Sequence, residues 1–239
     1  MFRVRLDVPT PVPERVRVEG AALRHLRVAR VVPGETVEVF DGRGRAWAGW
    51  LETVDEGGAV LRLAEERRGE AGRTVVLIQG LPKGDKLDWV LQKSTELGVS
   101  AVWPVVTARS VARPKLEALA ARHARWQRIV EEAARQSGRT EVPEVAALRP
   151  LEEAVKALPT GVRLLVLDEE EQRERLGPAA GDGAVALVIG PEGGLEREEV
   201  EALRTAGGVP VSLGPLVLRT ETAGVAALAV LRHLDGLLG

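Results

Sequence analysis

From Phe2 to Ala64 apolar and polar positions alternate in short runs: Phe2–Leu6, Arg15–Val18, Glu35–Phe40, Ala46–Glu52 and Ala59–Ala64. A period of two marks a strand with one buried face. Turn signals separate the runs: Pro9-Thr10-Pro11, Pro33-Gly34, Asp41-Gly42-Arg43-Gly44 and Gly57-Gly58. Five short strands at this spacing predict a small barrel, with room for one helical turn within Gly20–Val32. Glu65–Arg73 is nearly all charge and glycine, which predicts a linker. The rhythm then changes. Thr74–Gly80, Ala101–Val106, Arg163–Leu167, Ala184–Ile189 and Val209–Leu213 are continuously apolar runs, the pattern of strands buried on both faces. Helical spacing fills the intervals, at Gly84–Leu97, Pro114–Gly138, Leu151–Leu158, from Glu196, and from about Thr220 to Leu238. The expectation is a β-rich domain over 1–72 and an α/β domain over 73–239, its mostly parallel sheet covered by helices.

Parallel sheets bind ligands outside the carboxyl ends of their strands. Two strand ends are rich in chemistry. Gly190-Pro191-Glu192-Gly193-Gly194 follows AVALVI, and three glycines in five residues let backbone N–H groups approach a ligand closely. Glu196, Glu198 and Glu199 then occupy the first helical turn, which suits the macrodipole but makes a poor phosphate cradle. No GxxxxGK[ST] is present and no GxGxxG follows a strand, so ATP and NAD on their usual templates are disfavoured. A cationic or neutral ligand with an adenine suits this loop better. The second end is Ser212–Ala223, SLGPLVLRTETA, where Thr220 can cap the last helix and Glu221 lies in its first turn. Arg219 has no capping use, since a cation opposes the dipole there. Glu221, a substrate oxygen or a phosphate would account for it.

Composition narrows the chemistry. The 239 residues include no Cys and three scattered His, which excludes thiol chemistry and argues against a histidine metal site. No apolar run approaches a membrane span, and the N-terminus lacks a signal-peptide stretch, so a soluble cytoplasmic protein is expected. The net charge of −2 conceals a gradient: residues 1–70 are neutral, 71–140 carry 12 basic and 6 acidic groups, and 141–239 carry 9 basic and 17 acidic. Residues 1–30 alone hold 7 basic and 3 acidic groups. Such local excess suits phosphate contact, although solvated helix faces produce it too. All five Trp lie between Trp47 and Trp126 and are expected in the core, and His25 is expected to form a structural hydrogen bond.

The two loops resemble those of the RsmE family, bacterial 16S rRNA (uracil-N3)-methyltransferases of the SPOUT superfamily. Further stretches agree in order: HLRVARVVPGETVEVFDGRG (25–44), KGDKLDWVLQKSTELGV (83–99), Arg109-Ser110 and RWQRIVEEAARQSGR (125–139). Ala29 stands where the family usually has Leu. Ala108 stands where Glu often precedes Arg-Ser, which argues against a role for that position. The resemblance implies a PUA-like β-barrel followed by a SPOUT α/β domain with a C-terminal trefoil knot. It implies S-adenosylmethionine as cofactor, a homodimer, and a target uridine in the decoding region of small-subunit rRNA. Other SPOUT enzymes methylate ribose 2′-OH, and a non-catalytic rRNA-binding protein is the alternative of a different class.

Methylation of uridine N3 removes an imide proton and spreads negative charge onto O2 and O4, so the site needs a proton acceptor and a charge stabiliser. Arg219 is the candidate for orienting uracil, and Glu221 for accepting the proton or holding Arg219. Cofactor contacts are expected from Leu167, Ile189, Gly190, Pro191, Glu192, Gly193, Gly194, Leu213, Gly214 and Leu218. RNA contacts are expected from Arg3, Arg24, Arg27 and Arg30, and from Lys83, Lys86, Lys93, Arg109, Arg128, Gln136 and Arg139. The last helix, with small apolar residues on several faces, suits either burial or a dimer interface. No metal is expected.

Overall fold

The computed structural model describes residues 1–69 and 72–239. They form two compact units, residues 1–71 with 134–142, and residues 72–133 with 143–239.

The first unit contains β1 (Phe2–Arg5), β2 (Arg15–Val18), α1 (Gly20–Val28), β3 (Thr36–Phe40), β4 (Arg45–Val54) and β5 (Ala59–Arg68). The strands lie in the order β1-β3-β4-β5-β2, with β1 parallel to β3 and the other pairs antiparallel. Alternation sends Val4, Val18, Val37, Val39, Trp47, Leu51 and Leu61 inward, where Leu23 and Leu26 of α1 close the core. Each large side chain fully withdrawn from water contributes roughly 1.5–3 kcal/mol. Glu65–Arg68, expected in a linker, instead extends β5, with Glu66, Arg67 and Arg68 opposite Trp47, Ala46 and Arg45. Cross-strand hydrogen bonding tolerates charged side chains when they stand on an exposed edge. The rest of that expected linker includes Glu70 and Ala71, which lie outside the described residues.

The segment 134–142 belongs to this unit although the sequence expectation leaves it in the second domain. Arg3 shows why. Its guanidinium donates to Glu38 Oε1 at 2.6 Å and to the backbone carbonyls of Ala134, Arg135 and Arg139 at 3.0–3.1 Å. It also stacks 4.7 Å from the Phe40 ring centroid. Its side chain is only 12% exposed. Arg3 is therefore a structural tie and leaves the set of expected RNA contacts. His25 is also corrected: it is exposed, and its ring has no hydrogen-bond partner among the described residues. Trp50, with Arg62 over its ring, and Trp89 on the other unit are surface residues, unlike buried Trp47 and Trp126.

The second unit runs β6 (Val75–Gly80), α2 (Lys86–Glu96), β7 (Ala101–Val106), α3 (Leu116–Ser137, its last turn in the first unit), β8 (Glu144–Val145), β9 (Arg149–Pro150) and α4 (Leu151–Lys156). It continues through β10 (Arg163–Leu167), α5 (Leu176–Ala180), β11 (Val185–Ile189), α6 (Arg197–Thr205), β12 (Val209–Val211) and α7 (Thr220–Leu234). The sheet order is β12-β10-β11-β6-β7-β8, with β9 beside β7, and every pairing is parallel. Every residue of β6 and β11 is buried. α7 packs on α2, α5, β6 and β11, burying Gly224, Ala227, Leu228 and Leu231 while Val230 and Leu234 stay exposed. This order sets the carboxyl ends of β12, β10 and β11 side by side.

Candidate functional site

The loops after those three strands line a cavity of about 400 Å³, joined by Lys86 of α2 and by Arg109. Leu167, Ile189, Gly190, Pro191, Glu192, Gly194, Leu213, Gly214, Leu218 and Arg219 all face it. Gly193 sits in the same turn, where its carbonyl accepts Arg109 Nη1 at 2.9 Å.

The glycine loop is a tight backbone turn. The Gly194 N–H donates to Pro191 O at 2.9 Å, with Gly194 at φ +71°, a conformation that favours glycine. A Cβ on Gly190 would stand 2.8 Å from the Gly194 carbonyl carbon and 2.9 Å from Leu195 N, so no larger residue fits. The Glu199 carboxylate accepts the N–H groups of Glu196 and Ala108, both at 2.9 Å. That carboxylate thus secures the start of α6, as a helix N-terminus favours.

The loop after β12 turns at Ser212, whose hydroxyl donates to Gly214 O and accepts from Gly214 N, both at 3.1 Å. Leu216 and Val217 then project into solvent. Arg219, not Thr220, occupies the cap position of α7. Thr220 is buried one residue inside the helix, donating to Gly190 O at 2.5 Å and accepting Gln79 Nε2 at 2.9 Å. It ties the β12 loop to the glycine loop. The Arg219 guanidinium is exposed on the cavity rim and makes no hydrogen bond or ion pair among the described residues.

Glu221 does not hold Arg219. Its Oε2 lies 3.2 Å from Lys86 Nζ, an ion-pair distance off the angle of a hydrogen bond. Lys86 Nζ also lies 3.0 Å from Glu192 Oε1. The Glu192 carboxylate, and then the Glu221 carboxylate beside it, raise the Lys86 ammonium above the usual lysine value. Burial pushes the Glu192 carboxyl up, but its own backbone N–H, Lys86 and the Lys83 N–H outweigh that and hold it below the usual range. Lys86, expected on an RNA-binding surface, thus belongs to the cavity.

Asp168, Glu169, Glu170, Ser212 and Arg197 also line the cavity and were not singled out from the sequence. Asp168 is 8% exposed and accepts two guanidinium N–H groups of Arg197 at 2.8 and 3.0 Å, plus the Glu170 N–H at 3.1 Å. Burial pushes its carboxyl up, and these donors pull it net below the usual aspartate value. Its position directly after Leu167 was the available signal, since the strand-end rule applies there equally.

The remaining basic residues disperse. Arg24, Arg27 and Arg30 are exposed on α1 and at its end, with Arg27 donating to Asp55 O at 2.5 Å. Lys83, Arg128 and Gln136 are exposed. Lys93 pairs with Glu96 at 2.9 Å, and the Arg139 carbonyl serves Arg3. Among the described residues no group of three or more His, Cys, Asp and Glu could hold a metal, and no helix is long and apolar enough to cross a membrane.

An RNA methyltransferase domain family matches residues 70–232, and an RNA methyltransferase PUA domain family matches residues 18–64. The chain is 38% identical over 174 residues to the Bacillus subtilis ribosomal RNA small subunit methyltransferase E, covering 69% of this chain and 67% of that one. It is 35% identical over 207 residues to the Mycobacterium bovis protein of the same name, covering 84% and 79%. Among solved structures it is similar to the Neisseria gonorrhoeae ribosomal RNA small subunit methyltransferase E bound to S-adenosyl methionine. That match has a TM-score of 0.89 and 36% identity over 98% of each chain.

Proposed function

Because this chain belongs to the ribosomal RNA small subunit methyltransferase E family, we propose that it methylates N3 of one uridine in the decoding region of 16S rRNA. It is an S-adenosylmethionine-dependent rRNA methyltransferase built of a small PUA-like domain and an α/β domain with a parallel sheet. The same reading carries a knotted C-terminal segment, a homodimer and a cytoplasmic setting.

The cavity fits the cofactor. Its volume of about 400 Å³ is in the range of small-molecule sites. The Gly190 turn brings backbone to the cavity wall with no space for a side chain, as a nucleoside held by main-chain groups requires. Glu169, exposed on the cavity wall, supplies a carboxylate from which a sulfonium or an ammonium would gain, while Asp168 and Glu170 are paired with Arg197. In this reading the backbone of 189–194, with Leu213, Gly214 and Leu218, surrounds adenine and ribose, and Leu167 forms part of the wall. When bound, the cofactor supplies an electrophilic methyl group on sulfur.

The chain's own residues do the rest. Arg219 orients the uracil and stabilises the charge growing on its carbonyl oxygens. Glu221 accepts the imide proton, directly or through water. Arg24, Arg27 and Arg30, with Lys83, Arg128 and Gln136, meet rRNA phosphates and sugars. The observation that carries this reading is Arg219 itself, a guanidinium on the rim of the cleft with no hydrogen-bond or ion-pair partner among the described residues. A preorganised charge stabiliser is worth about 10²–10³ in rate. Arg219→Ala is therefore expected to lower kcat by that factor while calorimetric binding of S-adenosylmethionine stays near normal; unchanged turnover refutes the role. Nucleoside analysis of treated small subunits should yield N3-methyluridine, and a ribose 2′-O-methyl product would favour the other SPOUT chemistry. A chain that fails to bind S-adenosylmethionine would be a plain RNA binder.

A further inference from the structure

We infer that Lys86 is a positioning residue for methyl transfer, holding Glu221 ready to receive the uracil proton by tying it to Glu192 of the glycine loop. The inference rests on the proposed N3 chemistry and adds a residue to it.

Three elements converge on one ammonium. Lys86 Nζ lies 3.0 Å from Glu192 Oε1 and 3.2 Å from Glu221 Oε2. Glu192 is itself fixed, because its two oxygens accept the Lys83 N–H at 3.0 and 3.3 Å. Lys86 therefore swings from an anchored point, and α2, which carries it, packs directly on α7, which carries Glu221. Lys86 does nothing for its own helix. It is the first residue of α2, where a cation opposes the dipole.

The stoichiometry of charge matters more. A single lysine–glutamate pair is neutral, and a carboxylate fully committed to an ammonium is a weak proton acceptor. Here two carboxylates share one ammonium, which leaves one negative charge over. Glu221 Oε2 is buried and has no hydrogen bond among the described residues. Burying a carboxylate oxygen with no compensating charge is costly, and the Lys86 ammonium 3.2 Å away offsets that cost and fixes the side chain in place. Glu221 does not line the cavity itself, but 17% of its side chain stays exposed, and that part, not the buried Oε2 beside Lys86, is what a substrate N–H would meet. In the transfer the N3–H bond breaks and its proton passes to a Glu221 oxygen. The N3 lone pair forms the new N–CH₃ bond, and the pair of the broken S–CH₃ bond stays on sulfur. Glu221 afterwards returns the proton to solvent.

The experiment compares wild type, Lys86→Met, Lys86→Arg, Glu221→Gln and the Lys86→Met/Glu221→Gln double variant on assembled small subunits. It reads kcat and KM, together with calorimetric S-adenosylmethionine binding and thermal melting. Misplacing a reacting group by about 1 Å costs roughly 10²-fold. Lys86→Met should lower kcat by about that factor with KM, cofactor affinity and melting little changed, and Lys86→Arg should restore most of the rate. The double variant should turn over no more slowly than Glu221→Gln alone, since both changes act through one group. A raised KM with intact kcat would make Lys86 an RNA contact and overturn the inference. So would multiplying effects, or a Lys86→Met whose loss of rate follows loss of cofactor binding or of melting temperature. If Glu221→Gln slows turnover and Lys86→Met does not, this inference alone fails; if Glu221→Gln is fully active, the underlying reading of Glu221 fails first.

Discussion

Arg30 ends α1 in a left-handed backbone conformation, φ 55°, the only non-glycine residue with positive φ among those described. Its N–H donates to Arg27 O at 3.0 Å, and the Val31 N–H donates to Leu26 O at 3.1 Å. This double closure of a helix normally takes glycine at that point. An L-residue there costs about 1 kcal/mol. The side chain is exposed and has no partner among the described residues. Arg30→Gly is therefore expected to stabilise the fold by up to about 1 kcal/mol, read from the urea midpoint, while weakening rRNA binding. Wild-type RNA affinity in that variant would remove Arg30 from the interface. Asp168 makes a pH-dependent contribution instead. Its carboxyl titrates lower in the folded chain than in the unfolded one. The stabilisation is thus present above about pH 3.9, the ordinary aspartate value, and is lost as pH falls through the lower folded-state value. Asp168→Asn should cost about 2 kcal/mol at pH 7, with the gap from wild type closing below about pH 4 in acid unfolding curves.

At the scale of elements, the proposed cofactor cradle depends on a turn that admits no side chain and on one buried hydroxyl. Gly190→Ala would drive its methyl to within 2.8–3.0 Å of the Gly194 and Leu195 backbone. Calorimetric binding of S-adenosylmethionine should vanish while the parallel sheet is retained; intact binding would mean that this loop does not hold the cofactor. Thr220→Val keeps the shape but loses the bonds to Gly190 O and Gln79 Nε2, so it should weaken cofactor binding more than it lowers the melting temperature. The strands of both units were legible because alternation and continuous apolar runs are dense signals. β8 and β9, two residues each, are too short to show any period, and α5 carries a Gly-Pro pair that reads as a turn. Charge misled at Glu66–Arg68, where ladder bonding outweighs side-chain polarity at an exposed edge. Glycine density and strand-end position marked the two loops that line the cavity. Nothing local could place Lys86 between two carboxylates that lie 106 and 135 positions away in the chain, or match Asp168 with Arg197. Those pairings exist only once the parallel order brings β10, β11 and α7 together.

For the whole molecule, the charge gradient becomes a statement about which cations remain available. Arg3, Lys86 and Lys93 are engaged within the protein. Arg24, Arg27 and Arg30 stay exposed around one helix. Replacing all three with Gln should reduce the magnitude of the log–log salt slope of rRNA binding by about 2–3, nearly one per lost phosphate contact. An unchanged slope would assign the phosphates to other cations. The return of residues 134–142 to the first unit bears on how this protein tolerates recombination. A gene fragment ending at residue 71 encodes the five strands but omits the carbonyls of Ala134, Arg135 and Arg139 that receive the Arg3 guanidinium. Grafting another such sheet onto residue 72 would leave that segment facing a stranger. Exchange of this unit between relatives therefore has to carry two separated stretches at once, and the end of α3 should vary in step with β1 rather than with the catalytic half of the chain.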